Sequence, residues 1–560
     1  MFSLANTAAS GQLSRAYASA GAPPVVRANV RDICYTGDAM EARARKRVGA
    51  ALGVVGVAFL AAVACSSTTL QGTIAIVTGP DNGFLVSPQP NLLAVYFVGS
   101  NAQRTLAAQT RLPSDGGLTL PTQPGANVDI IQVAAFVDSG LSAVVSGSTI
   151  PVGLDQLNGI TLNVFAQRTG QFSRLPSAEG GSAATVTLPS TTPLLATLYG
   201  RYLLMADGTG KSLQTQLYDN LTWSTEPQPP CLSIPSLSLA YVNAFTGTDA
   251  ALDSSTGVSA LLQIGKGGAV GWLDITDSTG CDAAITYDAA TLPNGGQWSA
   301  VAGGQTIVTP ATGSGNTYVV GATRLVDGGA TTGVLRISPS GVLSWTTLQV
   351  PRVGAAAAYV SAGKDGPGLY VFGGTAPANA GDAGADGSVP AETGVEFVAD
   401  NGGVTVASWP MAGRLPADTT TGAGAFALND GTIILAGGVT ADGKPAPVRR
   451  YSYGGGDAAV SQGSGEGGAW PELPVTFVTA QVYALSDTTD ATPPPRVDSV
   501  MVIGTRKSGL SSAYVLTPTS VTPIPFRVPG RTNVQSTILP NGSIAVVGGD
   551  DAGTMESFIR

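Results

Sequence analysis

The 560-residue chain contains no histidine. Ser-His-Asp and Cys-His catalysis therefore lack their general base, and zinc or copper sites built on imidazole lack their ligands. Chemistry is left to carboxylates and thiols. Asp207, Asp550 and Asp551 lie beside glycine-rich turns, but glycoside hydrolysis needs two carboxylates across the scissile bond, and nothing in their spacing marks a pair. Asp138-Ser139-Gly140 offers one aspartate of a dyad without a partner of similar local sequence, so it reads as a turn. Of the four cysteines, Cys231 and Cys281 are an even pair within the body of the chain. In an oxidising compartment they are most simply a disulfide, with two buried free thiols as the alternative. Their spacing fits neither a CxxC nor a Cys/His metal site.

The loop NAGDAGADGSVPAET (residues 379–393) concentrates oxygen ligands. Asp382, Asp386 and Gly387 match three positions of an EF-hand loop, but Gly384 replaces a ligand and Glu392 falls one residue short of the bidentate position. A hairpin loop is the better reading, and no metal or other cofactor is expected. The scattered DG, NG and GG pairs are turn chemistry and not phosphate loops.

Arg43, Arg45, Lys46 and Arg47 precede an uncharged run of 17 residues, Val48 to Ala64. This is slightly long for the core of a secretory leader and at the lower limit for a spanning helix. The run closes on Ala62-Val63-Ala64-Cys65, small residues before a cysteine. The pattern resembles the lipobox of bacterial lipoproteins, in which a peptidase cuts before the cysteine and the thiol carries a diacylglycerol. Ala62 stands where that family most often has leucine. The resemblance implies Cys65 as the lipidation site; a retained membrane anchor is the alternative. Met40 opens MEARARKRVGA, a leader start of ordinary length. Residues 1–39 are thus expected to be a spurious or disordered extension, 40–64 a signal peptide and 65–71 a tether. Ser66 is not the aspartate that signals inner-membrane retention in enteric lipoproteins, which implies the outer membrane.

From Cys65 onward the chain carries 21 basic and 34 acidic residues, a net charge of −13. Phosphate binding needs clustered Lys and Arg, so a nucleic-acid partner is excluded. Only 12% of residues are charged while 74 are glycine, so polarity must come from Ser, Thr, Asn and Gln, as in exported β-proteins.

The elements that would position any site read as strands throughout. Thr73–Val77, Leu92–Val98, Asp129–Asp138, Leu141–Ser146 and Ile160–Gln167 are short apolar runs bounded by turn residues. So many short strands over residues 72–170 suggest an immunoglobulin-like β-sandwich, although the Cys…Trp…Cys marker of antibody domains is missing. Beyond residue 175 an apolar run closing on glycine recurs: YLLMADG, ALLQIGKGG, TYVVG, LYVFGG, TIILAGG, SVMVIG and SIAVVGG. The closing glycines are Gly208, Gly268, Gly321, Gly373-Gly374, Gly437-Gly438, Gly504 and Gly548-Gly549, about 44 to 67 residues apart. A tryptophan often follows, and several repeats carry an upstream arginine, as in VPRVGAAAAY and VPGRTNVQST.

These segments resemble kelch repeats, most sharply LYVFGGT, IILAGGV and IAVVGGD. The resemblance spans residues 172–560 and implies a kelch-type β-propeller of four-stranded blades, seven in number with six as the fallback. The layout of lipobox, sandwich and propeller is similar to kelch-containing lipoproteins of Gram-negative bacteria. The galactose-oxidase-like copper enzymes share the fold, but their copper needs two histidines, so that activity does not carry over. Only 11 residues follow Gly549, enough for one more strand. The segment near Phe172–Leu175 is therefore expected to complete the last blade. The function expected is non-catalytic binding of a protein or glycan, or scaffolding, by a lipid-anchored envelope protein. An exported carboxylate hydrolase and a purely structural protein are the alternatives.

Overall fold

The structure is a computed structural model. It describes residues 27–29, most of 73–176, strand residues between 194 and 308, and most of 316–560. All regular secondary structure in these residues is β, and among them no helix is long and apolar enough to cross a membrane.

Two sheets form the N-terminal module. Strands β1 (Arg27–Asn29), β2 (Thr73–Val77) and β7 (Thr161–Phe165) make one, with β2 and β7 parallel. The other has the order β4-β3-β5-β6-β8, from β3 (Leu92–Gly99), β4 (Arg104–Arg111), β5 (Val128–Phe136), β6 (Val145–Ser148) and β8 (Gln167–Arg168). Strand β1 lies inside the segment expected to be an extension, where Arg27 to Asn29 pair with Ala75 to Thr73. Strand β4 escapes a search for apolar runs because it is an edge strand, mostly polar and alternately exposed.

After β9 (Gln171–Arg174) the chain is a series of antiparallel sheets. They are β10 (Leu194–Leu198), β11 (Tyr202–Ala206), β12 (Leu213–Asp219) and β13 (Thr222–Glu226); then β14 (Ser236–Phe245), β15 (Val258–Gly265), β16 (Val270–Asp274) and β17 (Ala283–Tyr287). Next come β18 (Trp298–Ser299), β19 (Thr306–Val308), β20 (Thr317–Val326), β21 (Gly329–Ile337) and β22 (Leu343–Thr347). These are followed by β23 (Ala356–Val360), β24 (Gly368–Phe372), β25 (Val395–Ala399) and β26 (Val404–Val406), and by β27 (Thr421–Ala427), β28 (Thr432–Val439) and β29 (Arg449–Ser452). The series ends with β30 (Thr479–Ser486), β31 (Val497–Thr505), β32 (Ser511–Thr517) and β33 (Ser520–Ile524), then β34 (Gln535–Ile538), β35 (Ile544–Val547) and β36 (Glu556–Ile559). Each glycine-closed run of the sequence supplies the second strand of its sheet.

These second strands are apolar at successive positions because both faces are covered. Tyr370 and Phe372 pack on Ile433 and Tyr451 of the following sheet, while Leu369 and Val371 pack on Tyr318 and Val334 of the preceding one. Val500 and Val502 face Ile434 and Ala436; Met501 and Ile503 face Ile544 and Val546. Each fully buried side chain of this size contributes roughly 1.5–3 kcal/mol. First strands lie side by side, β23 against β27 and β27 against β30, and β34 of the last sheet returns to β10 of the first. The sheets thus close into a ring, a β-propeller, which hides edges that an open array would expose.

The last sheet has the order β34-β35-β36-β9, with Glu556 to Ile559 paired to Arg174 to Gln171. Its fourth strand is therefore supplied by the segment around Phe172. On its other face, Leu539, Ala545, Val547 and Met555 share one core with Val133, Val145, Val164 and Phe165 of the N-terminal module.

Candidate functional site

The glycine turns gather one kind of charged feature. Arg352 sits four residues before Ala356, which pairs with Phe372, the residue preceding Gly373. Its Nη2 lies 2.9 Å from Oε1 of Glu396 and its Nη1 3.0 Å from the Gly373 carbonyl. Glu396 is the second residue of the third strand, opposite Val371, and its Oε2 accepts the Gln349 backbone N–H at 2.7 Å. The last sheet repeats this register. Arg531 precedes Gln535 by four residues, and Gln535 pairs with Val547, next to Gly548; Glu556 pairs with Val546. Nε and Nη2 of Arg531 lie 3.1 and 3.0 Å from Oε1 of Glu556, and its remaining donors reach the Gly548 and Thr554 carbonyls. Asp550 accepts from Arg531 Nη1 at 3.1 Å and from the Thr554 backbone N–H.

Two other sheets vary the theme. In the β30–β33 sheet the residue at the arginine position is Phe477 and the residue at the glutamate position is Tyr514, opposite Val502. Their rings meet edge to face, with centroids 6.0 Å apart. In the β27–β29 sheet Arg449 takes the glutamate position, opposite Leu435, and is buried. One buried locus is thus filled by an ion pair, an aromatic pair or an arginine.

At the opposite ends of the strands, Asp400 joins two sheets. Its carboxylate accepts the phenols of Tyr318 and Tyr359, the latter at 2.9 Å, and its carbonyl accepts Arg336 Nη1. The rings of Tyr318 and Tyr359 stack with centroids 5.8 Å apart. This carboxylate is held by two phenols where the sheets meet. Tyr451 lies fully buried in the next core, and burial, with the nearby Tyr370 and Asp365, pushes its phenol far up.

Asp138 adopts positive φ in a turn where its carboxylate accepts from Asn91, in agreement with the turn reading. Cys65, Cys231, Cys281, Asp207, Asp551, Gly208, Gly268 and the Asp382–Glu392 loop lie outside the described residues. Among the described residues no group of three or more His, Cys, Asp or Glu could hold a metal. A cleft between module and last sheet, lined by Ser148, Gln167, Leu539, Ser543 and Ser557, has interior room for about one water, ≈ 10 Å³.

The upstream arginines of the repeats pointed to Arg352 and Arg531. Their partners Glu396 and Glu556 were missed, although each lies within the first two residues of a third strand, in the similar strings GVEFV and TMESF. Arg168 was also missed. Its buried guanidinium donates to the carbonyls of Val86 and Pro88 at 3.3 and 3.0 Å and fixes the loop after β2.

No family model matches the chain, and no curated protein matches it. Among solved structures, it is similar to a streptogramin B lyase at 10% identity, covering 70% of this chain and 97% of that one, with a TM-score of 0.36. A fungal alcohol oxidase of the AA5 family in complex with copper is similar at 13% identity, covering 70% and 75%, with a TM-score of 0.40. The six-bladed fucose-recognising lectin of Aleuria aurantia is similar at 13% identity, covering 61% and 98%, with a TM-score of 0.29. Likenesses this distant carry neither ligand nor reaction to this chain.

Proposed function

We propose that this chain is a lipid-anchored protein of the cell envelope, at the outer membrane, that binds a protein or glycan through one rim of its propeller without catalysing a reaction. In this reading Cys65 carries the lipid after cleavage of residues 40–64, which also removes β1 and leaves β2 and β7 as that sheet of the mature module, and residues 65–71 are the tether. The N-terminal module is an immunoglobulin-like sandwich. Each sheet after β9 is one blade, seven in all, of kelch type.

The observation that carries the binding reading is how the charges of the glycine-turn rim are used. Arg352, Glu396, Arg531, Glu556 and Asp550 are bound to one another or to backbone groups. A rim whose buried charges hold loops in place is a platform for recognition, and loops on a rigid scaffold are where recognition residues concentrate. The anchor reading is supported by the basic residues before Val48 and by the small residues before Cys65.

Acyl-chain labelling of the chain and of Cys65→Ser tests the address. Label lost in the variant supports lipidation, and label retained overturns it. A screen of the Leu70–Arg560 fragment against glycans and exported proteins tests binding. Turnover of model glycosides, abolished by substituting carboxylates of one pocket, would replace the binding reading with a hydrolase.

A further inference from the structure

We propose that the N-terminal module is the latch of the propeller ring and that Asp81 is its bolt. The strand that closes the ring, β9, has only four residues and follows directly from β8 of the module through Thr169-Gly170. A strand this short is marginal on its own pairing. It is clamped from both sides.

From the module, Asp81 accepts the backbone N–H of Arg174 at 2.8 Å, its Nε at 3.0 Å and its Nη2 at 2.7 Å. The loop carrying Asp81 lies so close that a Cβ on Gly79 would stand 2.3 Å from the Arg174 carbonyl oxygen. From the ring, Arg527 donates to the Phe172 carbonyl at 2.7 Å and to the Gln171 side chain at 2.6 Å. Beneath both, the module and the last sheet share one apolar core. The module is therefore part of the ring closure and not a freely swinging stalk. This holds whether or not Cys65 is lipidated.

The test is a full-length chain with one protease site inserted in residues 177–193, between β9 and β10. After cutting, β9 belongs to the N-terminal fragment and the other strands of the last sheet to the second. The cut chain is expected to co-elute as one species, with Asp81→Ala weakening the association by about tenfold, the loss of one charge-assisted cluster. In the uncut Asp81→Ala chain, hydrogen exchange is expected to rise selectively at Gln171–Arg174 and Glu556–Ile559. Separation of the cut fragments with the ring's thermal transition unchanged would overturn the proposal. So would an Asp81→Ala chain that matches the parent in both association and exchange.

Discussion

Arg531 and Glu556 face each other with both side chains at 0% exposure, Nη2 3.0 Å from Oε1. Removing two charges from water costs several kcal/mol each, and the pair repays this only because its other donors and acceptors are also satisfied. Here they are: the Gly548 and Thr554 carbonyls take the remaining guanidinium donors, and the backbone N–H groups of Arg527 and Val528 donate to the carboxylate.

The β30–β33 sheet fills the same locus with Phe477 and Tyr514, so the fold tolerates an apolar solution there. Glu556→Gln is expected to destabilise the chain by about 1.5–3 kcal/mol, because it weakens charge-assisted hydrogen bonds of a buried guanidinium and leaves Asp550 as its remaining carboxylate partner. The double variant Arg531→Phe/Glu556→Tyr should cost less than that single change. Denaturant unfolding of the three proteins checks this. A double variant as damaged as Glu556→Gln would show that the aromatic pair depends on its own sheet.

The junction between module and ring gives a pH dependence. Burial alone would raise the carboxyl of Asp81, but hydrogen bonds from the side chain and backbone of Arg174, with its charge, outweigh it and hold the group below its ordinary 3.8. A carboxyl lowered in the folded state stabilises the fold above its unfolded value and loses that contribution as pH falls through the folded value. The stability difference between the parent and Asp81→Asn should be constant from neutral pH down to about pH 4 and should shrink below it. It should be no more than about 1 kcal/mol, since Arg174 is partly open to solvent. Unfolding curves from pH 7 to pH 2.5, the lower end set roughly one unit under the ordinary carboxyl value, decide it. A difference that grows on acidification would reverse the sign.

Much of the ring was legible because burial on both faces leaves a plain trace, an unbroken apolar run such as LYVF or IAVV before glycine. The closing strand was legible from arithmetic, since too few residues follow Gly549 to finish a sheet. Strand β4 was not, because an edge strand with one covered face shows only weak alternation. Nor were the partners of the buried arginines. Glu396 lies 44 residues after Arg352, and Glu556 lies 25 after Arg531. Only the sheet register shows that these unequal separations reach the same place.

Two glycine turns that look alike in sequence are glycine for different reasons. Gly374 has φ of 92°, and an added Cβ would stand 2.9 Å from the Val353 carbonyl, so both conformation and backbone contact demand it. Gly504 lies outside the left-handed region, but a Cβ would fall 2.5 Å from the Phe477 ring. Gly504→Ala is therefore expected to cost about 1–3 kcal/mol through overpacking, and in a Phe477→Ala background, which removes the Cγ and Cδ1 atoms that an added Cβ meets, that cost should shrink. At Gly374 no side-chain change can help, because φ is positive and the nearest obstacle is a carbonyl, whereas at Gly504 the nearest atoms belong to a side chain. Thermal unfolding of Gly504→Ala, Phe477→Ala and their combination reads the coupling directly. Strictly additive losses would mean that the Phe477 ring is not what excludes a side chain at position 504, and the backbone near Thr479, whose carbonyl oxygen lies 2.7 Å from the added Cβ, would take its place.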